Sequence, residues 1–260
     1  MNRNSQHSAI ILRIAPFGET HGSVELLTPD HGLVRAIAYG LRARRGTLRG
    51  KVVPFALGTL YLYTDPRRDD AKIVDFDVHR YAVALPQDLT AWYHAGLWAE
   101  VIWRTRASGD AGAEVYDLLL QGLDLLEAIA DAAVSPEQRR HQVQLVSSLV
   151  LWRYLAILGL RPSLEECGIG DTRFAAEESR FYDRREGVLV GSEWADSAMV
   201  HVPSGTARLL AAAEPMTLPQ AAALPVTAAT LAATKTFVIA AIQDAVEVPL
   251  NTLRVASGLL

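Results

Sequence analysis

The run Val53-Pro54-Phe55-Ala56-Leu57-Gly58-Thr59-Leu60-Tyr61-Leu62-Tyr63 ends in strict alternation. Side chains point to opposite faces along a strand, so Leu60 and Leu62 share one face and Phe55, Tyr61 and Tyr63 the other. The aliphatic face suits a core, and the other is unusually rich in rings. Four further β-rich runs surround it, at 8–14, 23–27, 33–39 and 73–78. Phe17-Gly18, Pro29-Asp30-His31-Gly32, Gly40, Gly46 and Asp65-Pro66 supply the turn chemistry between them. Five short strands in the first 80 residues predict a small barrel.

Charge adds a function to that barrel. No acid occurs across residues 31–64, a stretch that holds Arg35, Arg42, Arg44, Arg45, Arg49 and Lys51. Residues 1–80 carry 12 Lys+Arg and 8 Asp+Glu; the whole chain has 25 and 29, which leaves 13 and 21 for the rest. The first part is therefore basic and the remainder acidic, and the two parts are expected to do different jobs. A run of like charge is often only a solvated face. Six cations with no carboxylate among them point instead to a polyanion. A five-stranded barrel with a basic, aromatic outer face is the OB-fold arrangement for single-stranded nucleic acid. The candidate phosphate-binding residues are Arg35, Arg42, Arg44, Arg45, Arg49 and Lys51, with help from Arg13, Arg67, Arg68 and Lys72. Tyr39, Phe55, Tyr61 and Tyr63 are candidates for base stacking, although such rings also serve to pack one domain on the next.

Beyond Pro86 the period changes. Leu89, Trp92, Tyr93, Ala95, Gly96, Ala99 and Trp103 recur at spacings of three and four, as do Val115, Leu118, Leu119, Gly122, Leu125 and Leu126. Ser135-Pro136-Glu137 opens a third helix that Gly159 stops. Trp92, Trp98, Trp103 and Trp152 belong to the core of this bundle. The stretch 143–160 is apolar enough to suggest a membrane span, but Arg153, Ser147 and Ser148 within it favour a buried helix. Residues 161–202 fit neither period and read as a small insertion. In the alanine-rich tail Pro203-Ser204 opens a short helix, Pro215, Pro219 and Pro225 break it, and Thr227 caps a last helix that ends before Pro249. The expected class is α+β, with a barrel over 1–82 and an α-helical domain over 83–260.

Little in the chain speaks for catalysis. The seven histidines show no short metal spacing, and phosphate-loop and nucleophile-elbow motifs are missing. Cys167 is the single cysteine, so an internal disulfide is excluded and a reactive pair with His201 has no supporting spacing. The N-terminus leads into only about five apolar residues, too few for an export signal. A cytoplasmic, non-enzymatic protein is expected. An RNA-binding factor, an enzyme with scattered site residues and a scaffold for an acidic protein are the competing readings.

The order of segments resembles the bacterial recombination mediator family RecO. The residues concerned are Ala9-Ile10-Ile11-Leu12-Arg13, Phe17-Gly18-Glu19, Val24-Glu25-Leu26-Leu27-Thr28 and His31 to Ala38. Further on come Gly40-Leu41-Arg42-Ala43-Arg44-Arg45, the strand ending at Tyr63, Leu155 to Leu160 before Pro162, and Pro249-Leu250 with Arg254. The resemblance implies an OB barrel, a helical domain and a small zinc knuckle. It also implies binding of single- and double-stranded DNA, annealing of complementary strands, and cooperation with RecR in placing RecA on strands coated by single-stranded-DNA-binding protein (SSB). The acidic C-terminal tail of SSB would sit in the helical domain, where Arg139, Arg140 and Arg153 are available cations. Many relatives carry two CxxC pairs in the knuckle, whereas this chain has Cys167, then Gly170, and no cysteine near 190–193. No zinc or other cofactor is therefore expected, and Phe174, Phe181, Tyr182, Leu189 and Trp194 would hold the insertion together.

Overall fold

The computed structural model describes residues 4–65, 70–106, 111–170, 172–256 and 258. Five strands open the chain: β1 (Asn4–Phe17), β2 (His21–Thr28), β3 (Gly32–Ala38), β4 (Leu57–Asp65) and β5 (Asp70–Arg80). They pair in the order β1-β2-β3-β5-β4, and β4 returns to β1. The ring closes at its thinnest seam through a single parallel pairing of β3 with β5, Ile37 opposite Lys72. Ala9, Ile11, Val24, Leu26, Leu60, Leu62, Ile73 and Phe76 fill the interior. The leucine pair at 60 and 62 thus faces inward as its alternation requires, and Tyr61 and Tyr63 face out.

Irregularities in the strand register decide which residues point where. Between Ile11 and Arg13 the register of β1 against β2 shifts by one, so Leu12 and Arg13 both face outward. A bulge re-aims the side chains that follow it. Leu12 enters the helical core while Ile14 returns to the barrel interior. A second irregularity, between Tyr61 and Leu62, leaves Val74 of β5 without an opposite residue and 53% exposed.

The expected fourth strand starts later than its sequence suggests. Residues 53–56 form turns, and Phe55 has φ 63, a region that costs an L-residue roughly 1–2 kcal/mol. Its ring is buried and meets Trp92 edge-on at 5.3 Å between centroids. The Phe55 amide also donates to the Ile11 carbonyl at 2.7 Å. Phe55 is thus a joint between barrel and helices rather than a base-stacking ring. The packing alternative for the aromatic face holds for this residue.

The helical part begins with α1 (Leu89–Thr105), α2 (Gly112–Asp131) and α3 (Pro136–Ile157). Ser135 and Gln138 form a reciprocal capping box at the start of α3, with Pro136 in its first turn, and Gly159 adopts φ 70 just beyond its end. Trp98 and Trp152 are fully buried, and the Trp98 indole donates to Ser147 Oγ at 3.0 Å. Ser147 of α3 therefore satisfies the buried Trp98 indole inside the bundle. Ile10, Leu12, Leu27 and Phe55 of the barrel join the same core as these helices.

A three-stranded sheet follows, β6 (Arg180–Asp183), β7 (Val188–Val190) and β8 (Val200–Val202), with β6 in the centre. Tyr182, Leu189, Val190 and Val202 are buried, and Tyr182 packs on Phe237 at 5.3 Å. Trp194 is 51% exposed and does not belong to that cluster. The tail holds α4 (Ser204–Ala213), α5 (Leu218–Ala222), α6 (Ala228–Val246) and α7 (Asn251–Val255). Pro219 opens α5 rather than breaking a helix, since a proline costs nothing in a first turn. Thr227 caps α6 as expected, but one more short helix, α7, follows Pro249. Among the described residues α6 alone is long and apolar enough to cross a membrane, and its Leu231, Phe237, Val238 and Ile242 lie in the protein core.

Candidate nucleic-acid interface

Residues 39–56 connect β3 to β4 by consecutive turns rather than by regular structure. Leu41, Leu48 and Val52 are buried in the barrel core and anchor the segment. Gly22 makes this possible, because a Cβ there would lie 2.6 Å from Leu41. The Arg42 amide donates to the Thr20 carbonyl at 2.8 Å and ties the segment to the β1–β2 turn. With the leucines pointing down, Arg42, Arg44, Arg45 and Arg49 point out and are exposed. Among the described residues none of these four forms an ion pair, so no carboxylate cancels their charge.

The other two predicted cations differ. Lys51 donates to Asp75 at 2.8 Å and lies 3.9 Å from Asp77. The bond from Lys51 holds the Asp75 carboxyl below its ordinary value, and the same bond raises Lys51. Arg35 stands opposite Glu25, 3.8 Å away, and donates to Ser23 Oγ at 3.0 Å. Tyr61 belongs to the acidic neighbourhood as well. It stands opposite Asp75, and a hydrogen bond with Asp77 raises its phenol. Arg35 remains largely exposed, whereas Lys51 and Tyr61 already have partners.

Tyr39 and Tyr63 come together around Lys72. The Lys72 ammonium sits 5.5 Å from the Tyr39 ring centroid, and Lys72 is the cross-strand partner of Tyr63. Tyr39 is half exposed and meets His21 edge-on at 4.9 Å. His21 Nδ1 accepts from the Gly40 amide at 3.0 Å, which makes it the fixed tautomer's acceptor and holds Tyr39 beside the arginine segment. Phe17, exposed and paired in register with His21, extends this cluster. Neither Phe17 nor His21 was among the sequence candidates. A ring next to a turn glycine reads as turn punctuation, and only the hairpin register shows that it faces the same way as Tyr39. Arg67 and Arg68 lie outside the described residues.

The cations expected in the helical part are mostly engaged. Arg153 donates to the carbonyls of Ala213 and Met216, at 3.2 and 2.6 Å, and burial lowers its basicity. Arg139 donates to the Ala132 carbonyl at 2.7 Å and faces Asp88 at 3.5 Å. Arg140 is exposed.

Among the described residues the insertion does not bring a set of zinc donors together. The Cys167 thiol donates to the Ile169 carbonyl at 3.1 Å, the neighbouring Gly168 packs on Val188, and the His201 ring lies on Phe181 at 5.1 Å. Among the described residues no group of three His, Cys, Asp or Glu is placed to hold a metal. The residues present do not fit the ion. Arg180, only 5% exposed, occupies the middle of the insertion instead, with its guanidinium 4.7 Å from the Phe174 ring centroid.

A five-stranded barrel that carries a cationic turn segment is joined to a helical bundle and a small three-stranded sheet. Comparison with known proteins gives it a family. The model "Recombination protein O N terminal" matches residues 1–78 and "Recombination protein O C terminal" matches residues 86–254. The chain belongs to the RecO family. "DNA repair protein RecO" of Gloeobacter violaceus is 29% identical over 174 residues, covering 67% of this chain and 62% of that protein. The Bifidobacterium adolescentis protein of the same name is 30% identical over 162 residues, 62% of each. That of Nostoc punctiforme is 28% identical over 169 residues, 64% of this chain and 53% of the relative. The matched part thus spans between about half and three fifths of these relatives.

Proposed function

We propose that the chain is a non-enzymatic mediator of recombinational DNA repair. It binds single- and double-stranded DNA, anneals complementary strands and, with RecR, helps load RecA on strands coated by SSB. The observation that carries this reading is the turn segment on which Arg42, Arg44, Arg45 and Arg49 stand exposed without a carboxylate partner among the described residues. Arginine forks pair with phosphate oxygens in two-pronged geometry and read no sequence, as a repair protein needs. Annealing follows when the charge of two strands is screened at once while their bases stay free to pair. Tyr39 and Tyr63, on either side of Lys72, supply sequence-tolerant stacking.

The acidic helical part, carrying 21 of the 29 acids, serves protein partners rather than DNA. Of the three arginines considered for the SSB tail, Arg140 is the exposed one. The insertion is metal-free in this reading, the location is the cytoplasm at the nucleoid, and no membrane is involved. Stoichiometric zinc in the purified protein would contradict the metal-free insertion. The test of function is annealing of two complementary labelled oligonucleotides, bare and precoated with SSB. Acceleration of both supports the mediator. Tight binding without acceleration removes it and turns attention to RNA.

A further inference from the structure

A cleft of about 370 Å³ lies where the barrel meets α1 and α7. Phe55, Trp92 and Ala99 are among its apolar walls, and Gly96 of α1 lines it with nothing within 4 Å of where a Cβ would stand. At the rim Arg13 and Arg104 hold their guanidinium carbons 4.3 and 4.5 Å from the centroid of Trp103. Glu100, the carboxylate in the cleft, is already occupied. It accepts from the amides of Asn251 and Thr252 at 2.9 and 2.8 Å and from the Thr252 hydroxyl at 2.7 Å. Burial pushes this carboxyl up, and the bonds from Thr252 and Asn251 outweigh it.

The cleft is continuous with the outer face of the barrel. The bulge at Leu12 turns Arg13 outward, where it stands opposite Glu25, which in turn stands opposite Arg35. One row of side chains therefore leads from the cleft rim across β2 to β3. The outer face of strands 2 and 3 is where five-stranded barrels of this kind carry oligonucleotides.

We infer that this cleft receives one unpaired nucleotide of single-stranded DNA, with the base against the apolar wall at Trp92 and its phosphate on Arg13. The inference rests on the DNA-binding reading above. It adds a strand-selecting site, since a base within a duplex has no face free to enter. The occupant is a nucleotide because Arg13 at the rim has no ion-pair partner among the described residues, Glu100 is taken up by Arg104, Asn251 and Thr252, and the row Arg13–Glu25–Arg35 joins the cleft to the face that tracks a strand. An acidic peptide is the rival occupant.

Gly96→Phe fills the cleft without removing a cation, and Arg13→Ala removes the phosphate contact from an exposed position. The probe is a single-stranded oligonucleotide carrying 2-aminopurine, with a duplex of the same sequence in parallel. Gly96→Phe is expected to weaken single-strand binding about 5- to 100-fold, from the loss of one stacked base, and to abolish quenching of the probe. Duplex affinity is expected to stay within about twofold of the wild type, which also shows that the variant is folded. Arg13→Ala is expected to weaken single-strand binding and to reduce the salt slope by about 0.7. Unchanged single-strand affinity and quenching in both variants overturns the cleft site while the arginine segment keeps its role. So does loss of an acidic, apolar peptide from Gly96→Phe with DNA binding intact. Failure of the wild type to bind any DNA removes the broader reading instead.

Discussion

Two stretches of the barrel carry cations, and their surroundings separate them. On the turn segment the arginines at 42, 44, 45 and 49 rise from buried leucines and meet no carboxylate among the described residues. On the β4–β5 face Lys51 is held by Asp75 and Asp77, and Tyr61 leans on the same acids. A phosphate reaching Lys51 must compete with a carboxylate already bonded to it, whereas one reaching Arg44 displaces only water. The usable charge of a basic stretch is therefore what remains after its cross-strand partners are counted. By that measure four arginines, not six cations, make the core of the proposed interface.

The largest effect expected from this difference concerns the anchors rather than the charges. Leu48→Ala empties a buried position beneath the segment and should cost about 2–5 kcal/mol of stability in chemical denaturation. Replacing Arg42, Arg44 and Arg45 together by alanine leaves the fold intact and strikes binding. With roughly −0.7 per phosphate contact, four contacts imply about a 50-fold loss of single-strand affinity between 50 and 200 mM salt, and one contact about threefold. Fluorescence anisotropy across that range reads the two values. Asp75→Asn with Asp77→Asn should free Lys51 and steepen the salt slope by about 0.7, while Lys51→Ala alone should change affinity by less than about twofold. An equal loss from Lys51→Ala and Arg44→Ala would dissolve the distinction between the stretches.

The smallest effect is on pH. Asp75 has a folded-state value depressed below 3.8 by its bond from Lys51 and a further bond from the Phe76 amide. Its contribution to stability is therefore present in full above the unfolded value and is lost as pH falls through the folded one. Carboxylate titration by NMR should place the midpoint below 3.8, and Lys51→Met should move it back up. A midpoint at the ordinary value would mean that the pair does not hold in solution.

Much of this architecture is legible in the chain itself. Alternation at Leu60 and Leu62 places them inside the barrel, and the Ser135-Pro136 start, the Gly159 stop and the Thr227 cap each act where local chemistry puts them. The misreadings share one cause, which is that local pattern does not carry long-range register. Phe55 extends the alternation on paper but sits in a turn, because residues 53–56 must double back to Ile11. Arg13 would face inward by simple counting, and a bulge turns it out. Asp75 lies 24 positions from Lys51, so an acid-free window in the sequence says nothing about the acids folded against it. His21 and Phe17 were missed for the same reason, since their proximity to Tyr39 belongs to the hairpin and not to spacing along one strand.

The most direct measurement is the salt dependence of single-stranded DNA binding for the wild type beside the Arg42→Ala, Arg44→Ala, Arg45→Ala triple variant. Contacts from four free arginines give a slope of about −3 that falls to about −1 in the variant. An unchanged slope would show that the strand lies elsewhere on the protein, and the turn segment would lose its place as the DNA-binding element.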